Sequence, residues 1–382
     1  MEPNVTNQRL ISLDVLKGLI MTIIVFGHMI VNERATEAGG EASMPVIVQA
    51  LYLGLMAYFI LSGYFYRPGR GFKINMMKRV KQILVALVVA GVTIPLIMYV
   101  YLNILGYGLP FDDYLNAVIL SLNLFNAFVP WDSVVDPTCL SAASAGTYFL
   151  FTMLWGFLIF YALADRVIED DKKVLAVIIV LLIIECLLKL FLPVKLPFAI
   201  YLGPIAAAFM FLGAWLARRK ILENIENGSK REVKYWAIPL ICLAIGIGLC
   251  CILPPNILFD SFIFGDYSGY SVFPFFAEAA FMFIPIAYLG YLFSLIPGIS
   301  WAVSKVGQHT IGVILIHPLI AKMIIAVSYP VSATVLAPDV VPMDYRLFAA
   351  FMALAIPTLL CCLWPMVKER MMKKKTATTE ES

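Results

Sequence analysis

The sequence predicts an all-α polytopic integral membrane bundle of about ten transmembrane helices, without a separate soluble domain. Two observations carry this reading. The chain is 62% hydrophobic and 14% charged, with a mean hydropathy of +0.89, whereas soluble domains carry about 25% charged residues. Its apolar residues also fall into runs of about 20, the length that crosses a bilayer as a helix.

Taken in order, spans are expected at about 11–31, 44–66, 83–103, 145–164, 174–192, 198–217, 237–254, 272–295, 306–328 and 347–367. The first run lacks an A-x-A cleavage site and reads as a retained span, not a signal peptide. The connections alternate in charge. The segment 67–82 holds Arg67, Arg70, Lys73, Lys78, Arg79 and Lys81 with no acid. The segment 218–236 holds Arg218, Arg219, Lys220, Lys230, Arg231 and Lys234, and the tail carries Lys368, Arg370 and Lys373 to Lys375. Ten spans place these three segments on one side, which the positive-inside rule makes the cytoplasm. The other side carries Glu33, Glu37, Glu41, Asp112, Asp113, Asp132, Asp136, Asp260, Asp266, Asp339 and Asp344. The expectation is a multi-pass protein of the inner (plasma) membrane with both termini cytoplasmic. Residues 1–10 form a cytoplasmic N-terminus, 11–367 the membrane domain, and 368–382 a basic tail. The longest loop, about 104–144, faces outward and has room for a re-entrant or interfacial helix near Tyr114 to Phe128.

Composition also excludes function classes. A net charge of +3, with no basic stretch interleaved with aromatics, argues against nucleic-acid binding. Seven cysteines show no C-x-x-C pair and no metal-ligand spacing. Six of them (Cys186, Cys242, Cys250, Cys251, Cys361, Cys362) sit in apolar runs, where Cys acts as a small hydrophobe. Neither a disulfide framework nor a metal site is expected.

The first span, LDVLKGLIMTIIVFGHMI, carries Asp14, Lys17 and His28. Ionisable groups inside hydrocarbon are expensive and need a reason. Lys17 and His28, eleven residues apart, differ by about 20° around a helix and lie about 16 Å apart along it. Asp14 neighbours Lys17 at i, i+3. Each has an ordinary explanation alone: Asp14 and Lys17 at the interface, His28 hydrogen-bonded to a neighbouring helix. Together on one face they argue for a polar path through the bundle.

Lys17 to His28 resembles the signature of the acyltransferase-3 family of integral membrane acyltransferases, a basic residue, ten others, then His in span one. Arg is usual at the first position, so Lys17 is a departure. Further segments resemble the family in order. FILSGYFY (Phe59–Tyr66) closes span two, and MMKRVKQIL (Met76–Leu84) is the basic run opening span three. TYFLFTMLW (Thr147–Trp155) has Tyr148 where Trp is usual. FLGAWLARRK (Phe211–Lys220) closes span six, and VGQHTIGVILIHPLI (Val306–Ile320) ends on a helix bearing His317. Each motif is weak alone; the ordered set is specific. The resemblance, nearest to the fucose 4-O-acetylase-like and O-antigen acetylase-like branch, implies O-acylation. An acetyl or other short acyl group would move from acyl-CoA to a hydroxyl of a cell-surface polysaccharide or lipid-linked glycan, with acetyl-CoA or another acyl-CoA as donor and no metal.

That chemistry needs a general base, donors for an oxyanion and a dry path. The chain has three histidines, His28, His309 and His317. His28 is the candidate base, deep in span one near the outer side. His317 lies mid-span and is either a wall of the site or a packed, partnered imidazole. His309 reads as a surface or CoA contact. CoA phosphates call for inner-face cations, and Arg67, Arg70, Lys78 and Arg79 are there, although positive-inside alone also explains them. The resemblance raises Lys78 and Arg79 above their neighbours. Lys17 is a candidate for a phosphate or the pantetheine carbonyls. Glu278 in FFAEAAF is an intramembrane carboxylate with no local partner in sequence and a candidate to orient a histidine. Glu185 and Lys189, at i, i+4, read first as a structural pair. Outer-loop aromatics such as Tyr107, Phe111, Tyr114, Phe128 and Trp131 suit sugar faces, although an interfacial belt accounts for most of them. Two other classes compete: an exporter or flippase of polysaccharide or lipid-linked sugar, which should show internal repeats and broken helices, and a sensor or scaffold, which has no need of His28.

Overall fold

The computed structural model describes residues 5–30, 54–122, 140, 147–192, 194, 196–229, 232, 234–252, 272–328 and 341–380. Among these the architecture is helical throughout. In chain order α1 is Val5–Ile30 and α2 Gly54–Tyr64. Next, α3 (Phe72–Val88) passes through a π turn, Val89–Thr93, into α4 (Ile94–Ile104). Then come α5 (Phe111–Ser121), α6 (Thr147–Val167), α7 (Asp171–Phe191) and α8 (Gly203–Arg218). The second half holds α9 (Ile221–Ser229), α10 (Lys234–Ile252), α11 (Val272–Ser294), α12 (Pro297–Gln308), α13 (Thr310–Ser328) and α14 (Met343–Glu380).

Among the described residues, eight helices are long and apolar enough to cross a membrane. They match eight of the ten expected spans. Of the other two, α10 is apolar but shorter over Tyr235–Leu249, and the expected start of span two lies outside the described residues. All-helical spanning follows from lipid's inability to hydrogen-bond a backbone, so every N–H and C=O is satisfied within its own segment.

Four expectations change. The basic segment 67–82 is not loop throughout: helix begins at Phe72 and runs to Ile104 as a 33-residue span. Met, Lys, Arg and Gln are good helix formers. A helix of that length, about 50 Å, outruns a hydrocarbon core of about 30 Å, so its basic first turns project beyond the lipid. Its π turn has a local cause, since Pro95 has no N–H for the Gly91 carbonyl. The segment 218–236 contains α9. Span nine starts at Thr310, because the chain breaks at His309. The tail continues α14 as helix to Glu380. Where a re-entrant or interfacial helix is expected, near Tyr114–Phe128, the chain forms the helix α5, entered through Pro110 and starting at Phe111; residues 123–139 lie outside the described residues.

Two glycine crossings organise the bundle. α8 is its centre, enclosed by α2, α6 and α7. It meets α2 so closely that a Cβ on Gly213 would stand 1.8 Å from the Ile60 carbonyl oxygen, and one on Gly63 1.8 Å from that of Met210. α12 crosses α1 in the same manner: a Cβ on Gly307 would stand 1.8 Å from the Asp14 carbonyl oxygen, and one on Gly18 1.9 Å from that of Val303. Small residues supply such approaches in lipid, where helix association rests on packing and not on hydrophobic exclusion. The second crossing holds the start of the polar stripe.

Candidate active site

α1 carries the stripe as one unbroken helix, so Lys17 and His28 keep the shared face and the separation of about 16 Å that helical geometry dictates. At its C-terminal end His28 Nδ1 lies 3.1 Å from His317 Nε2. The ring centroids lie 5.3 Å apart and the ring planes are 14° from parallel. His317 is buried (1% exposed) and its Nδ1 lies 3.0 Å from the Val313 carbonyl one turn back in α13. The structure therefore brings together two residues that lie 289 positions apart.

At the other end of the stripe Lys17 is already engaged. Its Nζ is 3.0 Å from Asp14 Oδ1 and 4.7 Å from the centre of the Phe65 ring. Tyr58 of α2 donates a hydrogen bond to the Lys17 carbonyl at 2.9 Å. Lys17 is thus a neutralised, aromatic-backed cation, and a phosphate reaching it would compete with Asp14.

The basic rim divides into held and open cations. The Arg79 guanidinium lies 5.0 Å from the centre of the Phe157 ring, and its Nε faces the Tyr161 hydroxyl at 3.4 Å, so α6 braces it. Lys78, Arg67 and Arg70 are exposed. Arg67 and Arg70 sit on the turn from α2 to α3, where Gly69 (φ 83°) and Gly71 (φ 73°) take the left-handed backbone. That turn is tied to α6 through Asp165, which accepts from the Tyr66 hydroxyl and, at 3.3 Å, from the Gly69 N–H.

The acyltransferase-3 family model, described as "Acyltransferase domain", matches residues 10–366. The chain belongs to this family. It is a membrane acyltransferase, which favours that reading over the exporter and the scaffold. No curated protein and no solved structure matches the chain.

Glu278 of this acyltransferase is fully buried on α11, a helix that packs against both α10 and α1. It shares a helix face with Phe275 and Met282, which meet Phe209 of α8 and Gly246 of α10. α13 packs chiefly on α14, α1 and α4. Glu185 is fully buried, and Lys189 places its ammonium 4.9 Å from the centre of the Tyr201 ring, an aromatic neighbour that i, i+4 reasoning does not foresee. His309 is the junction residue between α12 and α13. Among the described residues no group of three or more His, Cys, Asp or Glu is placed to hold a metal.

Sequence reading passed over Tyr58, Tyr161 and Asp165, which position the candidates, and Lys322 within α13. A lysine inside an apolar span was the available signal for Lys322. For the others no signal existed, because tyrosines and a helix-end aspartate are ordinary at membrane borders.

Proposed function

We propose that the protein moves an acetyl or other short acyl group from cytosolic acyl-CoA to a hydroxyl of a cell-surface or lipid-linked glycan. Its observational support is the His28–His317 pair, set at the far end of the polar stripe that starts at Lys17. The positive-inside rule makes the basic rim cytoplasmic, where CoA is found. There Arg79, braced over Phe157, is the best-positioned phosphate contact, with Lys78, Arg67 and Arg70 around it. The thioester arm would run inward past Lys17. His28 would take the proton of the acceptor hydroxyl as its oxygen attacks the thioester carbonyl. The carbon–sulfur bond then breaks, and the CoA thiolate recovers that proton as free thiol.

The test is transfer of labelled acetyl from acetyl-CoA to the saccharide and lipid-linked fractions of native membranes, at matched protein abundance. His28→Gln keeps hydrogen-bonding capacity but cannot accept a proton at neutral pH. It is expected to lower kcat by at least about 10²-fold. Near-normal turnover by that variant would remove His28 from the mechanism and overturn the reading.

A further inference from the structure

The place of His317 on α13 determines what its imidazole can do: Nδ1 lies 3.0 Å from the Val313 carbonyl, one turn back on the same helix. A carbonyl oxygen only accepts, so His317 Nδ1 carries a hydrogen. In a neutral ring Nε2 then holds the lone pair, and it faces His28 Nδ1 at 3.1 Å. That contact is a hydrogen bond only if His28 Nδ1 donates. The His28 lone pair is thereby placed on Nε2.

We infer that His317 is the positioning residue of the His28 base: it holds His28 in the Nδ1–H tautomer, and the Val313 carbonyl in turn fixes the tautomer of His317. This rests on the acyl-transfer reading above. A second imidazole stands where other base-assisted sites use a carboxylate, and it accepts from His28 without adding a negative charge to a lipid-embedded site. During turnover the acceptor O–H proton passes to His28 Nε2 as the oxygen bonds to the thioester carbon. The resulting imidazolium is stabilised by its Nδ1–H bond to His317, and the proton leaves His28 with the CoA sulfur when the carbon–sulfur bond breaks. No oxidant, reductant or further co-reactant enters.

The chain has three histidines, so ¹⁵N-histidine labelling of the full chain in lipid bilayers at pH 7.5 gives a resolvable spectrum. Its signals can be assigned with His28→Gln and His309→Gln. The expected result is a protonated Nδ1 and an unprotonated Nε2 on both His28 and His317. Protonation of either ring at Nε2 in place of Nδ1 would overturn the inference, whatever the activity. Transfer from labelled acetyl-CoA in native membranes supplies the second measurement. His317→Leu, which cannot accept from His28, should lower kcat by about 10²-fold, while His317→Gln, whose amide oxygen can accept, should stay within about tenfold. Donor KM should hold within about twofold in both. Equal loss in the Leu and Gln variants, or none in either, sinks the positioning role. Absence of transfer by the unsubstituted protein, or full activity of His28→Gln, would sink the functional reading instead, and the spectrum would still decide the tautomers.

Discussion

Gly307→Ala adds one methyl group where α12 crosses α1. The new carbon would stand 1.8 Å from the Asp14 carbonyl oxygen and 2.9 Å from the Gly18 nitrogen. Both are backbone atoms, so no side chain can turn aside. A carbon–oxygen contact needs roughly 3.3–3.6 Å, so the helices must part by about 1.5 Å at this point. Overpacking of that kind costs about 1–3 kcal/mol. The displaced residues are Asp14 to Gly18, which include Lys17, and a shift on the order of 1 Å in a positioning element can lower turnover about 10²-fold. Gly298→Ala is the control, because it lies on the same helix, is exposed, and would place its methyl group with nothing within 4 Å. It trades glycine for a better helix former worth roughly 0.5–1 kcal/mol in a helix interior, so no loss is expected. The assay is the folded fraction by size exclusion in mild detergent after graded heating, alongside labelled acetyl transfer in membranes. If Gly307→Ala survives heating as well as Gly298→Ala and keeps its activity, the α1–α12 crossing does not hold the stripe in place and this reasoning is wrong.

Arg79→Ala should raise the KM for acetyl-CoA by about 10- to 100-fold, from loss of a charge-assisted contact worth about 1.5–3 kcal/mol, with kcat and membrane abundance little changed. Arg79→Gln should not restore it, and unchanged donor kinetics would make Arg79 a topology anchor alone. Asp165→Asn weakens the tie that holds the Arg67–Arg70 turn on α6; the donor KM should rise several-fold with little effect on kcat, and an unaltered KM would detach that turn from donor binding. In sealed cells an impermeant thiol reagent should reach cysteine placed at Glu37 but not at Lys73, and labelling at position 73 would reverse the assigned sidedness.

Much of the protein was legible in its residues taken locally. The spans follow from run length, and lipid leaves a spanning backbone little choice but helix. The stripe on α1 follows from 3.6-residue periodicity, which needs no partner: Lys17 and His28 share a face in any straight helix. The limits of helices in polar segments were less legible. Residues 72–82 are rich in Lys and Arg, which serve a projecting helix as well as a loop, and the charge count that orients the chain does not distinguish the two.

Only the tertiary structure decided the partners. It set His317 against His28, Phe157 and Tyr161 against Arg79, and Phe65 and Tyr58 around Lys17. The reason lies in the solvent. In water an apolar stripe announces the face a helix buries, but in a bilayer lipid-facing and protein-facing sides are equally apolar. Exposed Leu175, Ile183 and Leu187 of α7 cannot be told by hydropathy from buried Leu181 and Leu182 on the same helix. Helix contacts in this protein are settled instead by where glycines let backbones touch, at Gly63 and Gly213 and at Gly18 and Gly307. Those meetings join residues far apart in the chain, and neither composition nor periodicity encodes them.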